Sequence, residues 1–119
     1  VTSLGDLIAE ANRLSSKIDE GVRTLSKAAG ATAHAEHAYR MGKSAAWHSQ
    51  RDGTVPERAA HVDAATADLR LARDMAEGQR VTALEALRSR RAQLSALQSI
   101  AAAWRAEAEH AKYGPEVTP

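Results

Sequence analysis

Thr54-Val55-Pro56-Glu57 opens, and Lys112-Tyr113-Gly114-Pro115 closes, the stretch that decides the fold. Between these marks there is no further proline and one glycine, Gly78. Thr54 followed three residues later by Glu57 is a capping box. The hydroxyl accepts a first-turn N–H, and the carboxylate reaches back to the N–H of the cap residue. Pro56 suits a first turn, whose N–H groups have no helical acceptor. At the far end Gly114-Pro115 is a stop signal. The spacing predicts a helix over about 55–112, followed by a frayed tail over 113–119. Immediately upstream, Ser49-Gln50-Arg51-Asp52-Gly53 contains Asp-Gly, a strong turn dipeptide. The turn is therefore assigned to 49–54.

Toward the N-terminus, Thr2 or Ser3 can cap a first helix, with Asp6 in its first turn opposite the helix dipole. A heptad runs from there. Leu4, Ala11, Ile18, Leu25, Thr32, Tyr39 and Ala46 hold one position, and Leu7, Leu14, Gly21, Ala28, Ala35 and Gly42 the other. Alternating steps of three and four keep one seam toward a neighbouring helix. The phase is the same on both sides of Gly30, which favours a single helix over about 4–48; the competing reading is a break at Gly30 that supplies a third helix. Gly21 and Gly42 lie on the seam, where a missing side chain lets another backbone approach.

A short connection between two helices makes them antiparallel neighbours. The predicted fold is all-α, a single domain built as a long antiparallel helical hairpin with coiled-coil-like packing. At ~1.5 Å rise per residue the helices are roughly 65 and 85 Å long. In the second helix Val62, Ala65, Leu69, Ala72 and Ala76 form one run, and Leu87, Leu94, Leu97, Ala101, Trp104 and Ala108 another. They join only through an extra four-residue step near Ala76, a stutter in the heptad.

Composition narrows the function classes. Of 119 residues 27 are alanine, phenylalanine is absent and aromatics make up 3%. Buried apolar area scales with side-chain size, so this chain fills a thin seam rather than a thick core. Sixteen basic residues against 15 acidic ones mark neither a polyanion binder nor an acidic surface. Cysteine is absent, which excludes disulfide and thiolate chemistry. No apolar run approaches the ~18 residues of a membrane span. There is no signal-peptide pattern either. These features lead to the expectation of a soluble cytoplasmic protein without membrane contact.

No Ser/His/Asp arrangement, phosphate-cradling glycine loop or HExxH motif occurs. The carboxylates have basic neighbours at helical spacing, as Glu10 with Arg13 and Asp19 with Arg23, and read as surface pairs. His34 and His37 share a helix face, and His48 and His61 flank the turn. Neither pair reaches the three or four ligands a metal needs, so exposed or hydrogen-bonded histidine is the expectation. The chain is read as non-enzymatic, with no cofactor and no metal.

Leu84, Leu87, Leu94, Leu97, Ile100 and Trp104 form the bulkiest apolar set and span too wide an arc for one neighbouring helix. Apolar surface of that kind marks association. A homo-oligomer is predicted, most simply a dimer forming a multi-helix bundle, and the same residues are candidates for contact with a protein partner. Arg80, Arg88, Arg90, Arg91 and Arg105 make residues 79–105 locally basic and are the candidates for nucleic-acid contact, because guanidinium matches phosphate geometry. No aromatic platform is interleaved with them. A solvated face, or a surface for acidic groups, is the preferred reading.

Two resemblances add to this. Tyr39-Arg40, the turn Gly53-Thr54-Val55-Pro56-Glu57-Arg58-Ala59, the helix from Leu84 to Ser99 and Arg105-Ala106-Glu107 together resemble small, largely uncharacterised helical proteins of tailed bacteriophages. In those a Thr-Val-x-Glu-Arg turn precedes a long Leu/Arg/Ala helix, and Pro56 stands here where their pattern usually has Ala. The resemblance covers residues from about 35 to 107. It implies an accessory protein of the early, DNA-replication or recombination region, with a partner from phage or host and no catalytic residue. Trp47 at the hairpin turn is also similar to WXG-type secreted helical hairpins. Trp47-His48-Ser49 lacks their glycine, however, and no acidic residue stands at the expected offset after Tyr113.

Overall fold

Ala, Leu, Arg and Gln lose little side-chain freedom in a helix, and the chain follows that preference. The computed structural model describes residues 3–113. They form α1 (Leu4–Ser49), α2 (Val55–Ala65) and α3 (Ala67–Tyr113), with no strand among the described residues. The fold is all-α, an antiparallel helical hairpin with coiled-coil-like spacing. Tyr113, expected in a frayed tail, is the last residue of α3, and the rest of that tail lies outside the described residues. The chain divides into two compact units, Arg23–Leu84 and the pair of segments Val1–Val22 with Glu85–Pro119.

The first of these, the turn unit, is set by its connection. Thr54 caps α2 with both halves of the capping box: Glu57 N–H donates to its hydroxyl, and its own N–H donates to the Glu57 carboxylate, each at 3.3 Å. Gly53 has φ +95°, a left-handed conformation that glycine adopts without strain. Arg58 closes the other side of the turn. Its guanidinium donates to the carbonyls of Gln50 at 2.7 Å and Trp47 at 2.9 Å and lies 4.8 Å from the Trp47 ring. These carbonyls sit at the C-terminal end of α1, where no further helical N–H follows, and a cation is favoured there. Trp47 is thus half-buried at the end of α1 with Arg58 stacked upon it.

Beyond the turn, Gly42 lies against Leu69 and Thr66, Tyr39 against Arg73, and the Thr32 hydroxyl donates to the Ala76 carbonyl at 3.1 Å. Falling numbers in α1 meet rising numbers in α3, so the pair is antiparallel. Thr66 interrupts the single helix expected over 55–112. It has φ −110° and ψ 11°, and both its N–H and its hydroxyl donate to the Val62 carbonyl, at 3.0 and 2.7 Å. Thr66 is buried, so its hydroxyl has no water and turns back on the carbonyl four residues earlier. That bond competes with the helical ladder and bends it. No sequence signal other than the threonine marks the break.

The second, or terminal, unit pairs the start of α1 with the second half of α3. Ser3 caps α1, its hydroxyl accepting from Asp6 N–H at 3.0 Å. A Cβ at Gly21 would lie 3.1 Å from a Leu87 methyl and 3.6 Å from an Arg90 guanidinium nitrogen. Leu7, Leu14, Leu87 and Ala101 are buried here.

The α1 heptad matches the burial pattern throughout. Each seam position from Leu4 to Ala46 is buried or half-buried, and α1 continues through Gly30. In α2 and α3 the pattern corrects the sequence reading. The covered row is Ala59, Val62, Thr66, Leu69, Arg73, Ala76, Arg80 and Ala83 in the turn unit, then Leu87, Arg90, Leu94, Leu97, Ala101 and Trp104 in the terminal unit. Its steps of three and four never break, so there is no stutter near Ala76. Ala65 and Ala72 are exposed. The stutter arises only when those alanines are preferred to Thr66 and Arg73 as seam residues.

Candidate interaction surface

Arginine can take seam positions because its aliphatic stem lies along apolar surface while its head stays hydrated. Arg73 lies 4.4 Å from the Tyr39 ring and pairs with Glu36 at 3.7 Å and Asp74 at 3.0 Å. The hydrogen bond to Asp74 holds its pKa above the ordinary value. Arg80 makes a forked pair with Glu77, at 2.9 and 2.6 Å. That bond pulls the Glu77 carboxyl below its usual range and raises Arg80. Glu10 is lowered in the same way by its hydrogen bond to Arg13. Solvent screens exposed pairs of this type, so each adds little to stability.

Of the five arginines considered for nucleic acid, Arg80 lies in the turn unit and the other four lie in the terminal unit. Arg80 and Arg90 belong to the seam, and Arg90 points back to the Lys17 carbonyl at 3.5 Å. Arg88 pairs with Glu85 at 3.2 Å. Arg91 and Arg105 are exposed. Arg73 is absent from the sequence reading altogether, although Thr66, Arg73, Arg80, Leu87, Leu94 and Ala101 recur every seven residues. That spacing is the signal that could have found it.

The six residues expected to face a partner are redistributed as well. Leu87 is only 3% exposed, buried within its own unit against Gly21. Leu84, Leu94, Leu97 and Trp104 are half-buried, and Ile100 is exposed. The set is largely the hairpin's own seam, because the wide arc seen in sequence included seam residues on both its edges. Apart from Ile100, the exposed large apolar residues among those described lie elsewhere: Ile8, Val22 and Tyr113 in the terminal unit, and Met41, Val55, Leu71, Met75 and Val81 in the turn unit. Leu71 and Met75 are four apart on α3 and share a face.

Open grooves run beside the seam. One of about 290 Å³ in the terminal unit is lined by Leu7, Ile8, Ala11, Asn12, Leu97, Gln98, Ala101 and Arg105. Another of about 450 Å³ in the turn unit is lined by Ala29, Thr32, Ala33, Glu36, Arg73, Asp74 and Glu77. Among the described residues no group of three or more His, Asp or Glu could hold a metal, and all five histidines are exposed. None of the described helices is long and apolar enough to cross a membrane. Compared with protein-family models, curated proteins and solved structures, the chain matches none.

Proposed function

We propose that this is a non-enzymatic helical-hairpin protein that self-associates, and that it works by presenting helix faces to protein partners. The observation that carries the reading is the imbalance of its apolar residues. Five hydrophobic side chains are buried among the described residues, Leu7, Leu14, Val62, Leu87 and Ala101, while nine large ones are exposed. Each buried large side chain contributes about 1.5–3 kcal/mol, so the seam alone is a small source of stability for 119 residues. Covering exposed Ile, Leu, Val and Met on a further helix pair adds to it. The resemblance of the Thr54 turn and the Leu/Arg helix to phage proteins points to phage or host DNA metabolism as the partner's origin.

The test is the mass of the purified chain in solution at micromolar concentration, by light scattering after size exclusion. A multiple of 12.7 kDa is expected. A monomer at all concentrations overturns the reading. Leu94 and Leu97 are poor positions for interface variants, because both are half-buried in the hairpin. Exposed Leu71 and Met75 can be changed to Asp without touching the seam. If they serve a partner, L71D with M75D abolishes capture from host extract while the helical content stays unchanged.

A further inference from the structure

Ile8 and Val22, each 45% exposed, are the exposed large apolar residues that α1 contributes to the terminal unit. They are fourteen residues apart, two heptads, with Ser15 midway, so all three lie along one flank of the seam. Arg105, Gln98 and Arg91 are likewise spaced by seven on α3, and all are exposed. The groove containing Ile8, Asn12, Gln98 and Arg105 puts the two rows on the same side of the helix pair.

Charge is divided unevenly between the rows. Asp19 lies four residues after Ser15 and three before Val22, beside the α1 row. Arg88 stands three residues before Arg91 on α3. Within the unit Gly21 lies against Leu87 and Lys17 against Arg90, so Asp19 is level with the turn holding Arg88 and Arg91. The pair expected between Asp19 and Arg23 does not form, and neither Asp19 nor Arg91 has an ion-pair partner within the chain among the described residues. One flank therefore carries an apolar row with a free carboxylate on α1. On α3 it carries an arginine and glutamine row with a free guanidinium at the same level.

We infer that this flank is a self-complementary dimer interface, covered by the same flank of a second copy about a twofold axis parallel to the helices. The inference rests on the self-association proposed above and names its surface. That operation sets α1 of one copy against α3 of the other at the same level. Asp19 of each copy then meets Arg91 of the other, with Arg88 adjacent. Ile8 lies against the stems of Gln98 and Arg105 of the second copy, which can cover apolar surface while their polar heads stay in water. An isologous contact of this kind makes every pair occur twice.

The test uses the full chain and two charge reversals, D19R and R91E. Each alone places like charges together twice in the dimer and should raise the dimer dissociation constant tenfold or more. Mixed in equal amounts, the two variants restore both pairs. At one contact the arginine introduced by D19R faces the glutamate introduced by R91E, and at the other the native Asp19 faces the native Arg91. Sedimentation of each variant and of the mixture in low salt reads the outcome, and circular dichroism checks that each remains helical. Dimeric wild type, weakened single variants and a restored mixture support the interface. A dimeric wild type with unweakened variants, or a mixture that stays dissociated, overturns this surface and leaves self-association standing. A monomeric wild type overturns both.

Discussion

Gly42 offers the sharpest test of how closely the helices pack. It is half-buried on the α1 seam, and a Cβ there would collide with a Leu69 methyl and lie 3.9 Å from Thr66 Cγ2. Gly30 and Gly78 lie within helices and would meet nothing within 4 Å. G30A and G78A should each stabilise the fold by about 0.5–1 kcal/mol, the ordinary helix preference for Ala over Gly. G42A gains the same preference and also forces the Leu69 methyl to move; that methyl ends a rotatable, half-buried side chain, so the cost is about 1 kcal/mol, the low end for overpacking. G42A should therefore lie about 1 kcal/mol below G30A, a gap of roughly 3–5 °C in midpoint for a chain of this size. The comparison is made by urea and thermal unfolding at one protein concentration, since an associating protein melts in a concentration-dependent way. A further arm sets G42A in an L69A background. With the obstructing methyl removed, G42A should become stabilising there. If G42A stabilises the wild-type chain as much as G30A does, the close approach at this level is wrong, and with it the register that sets Thr66 and Leu69 against Gly42.

Other outcomes follow from the turn and the ion pairs. T54A removes the hydroxyl half of the capping box and should cost about 1 kcal/mol in urea unfolding. R58M keeps the apolar stem over Trp47 but loses the bonds to the Gln50 and Trp47 carbonyls. Charged hydrogen bonds are worth about 1.5–3 kcal/mol each, so the variant should unfold more readily, with altered Trp47 fluorescence. Glu10 and Glu77 are held below the ordinary carboxylate range by hydrogen bonds to Arg13 and Arg80. Their contribution is fully present above the unfolded-state pKa and is lost as pH falls through the lowered folded value. Stability should therefore fall slightly on acidification through and below pH ~4.3, and less so in a chain carrying R13Q and R80Q. An unchanged acid profile in that double variant would remove these pairs from the account.

Short-range spacing along the chain was enough to define the elements and their order. A capping box, an Asp-Gly turn and an unbroken α1 heptad are local or periodic features that a helix repeats every few residues. They predicted the hairpin and the seam role of Gly21 and Gly42, and favoured a course of α1 through Gly30 without deciding it. Contacts between the helices, not spacing, settled which α3 residues form the seam and which stay exposed. Polarity misled there, because Arg73 is held on the seam by Glu36 and Tyr39 of α1, while Arg80 turns its guanidinium onto Glu77 of its own helix. Thr66 sits buried against Gly42 by satisfying its hydroxyl on its own helix. Whether a polar side chain can occupy a seam depends on what the opposite helix places before it, and that is a contact between residues far apart in the chain. The same dependence moved the candidate interaction surface from Leu87, Leu94 and Leu97, which the hairpin covers, to Ile8 and Val22, which it leaves exposed.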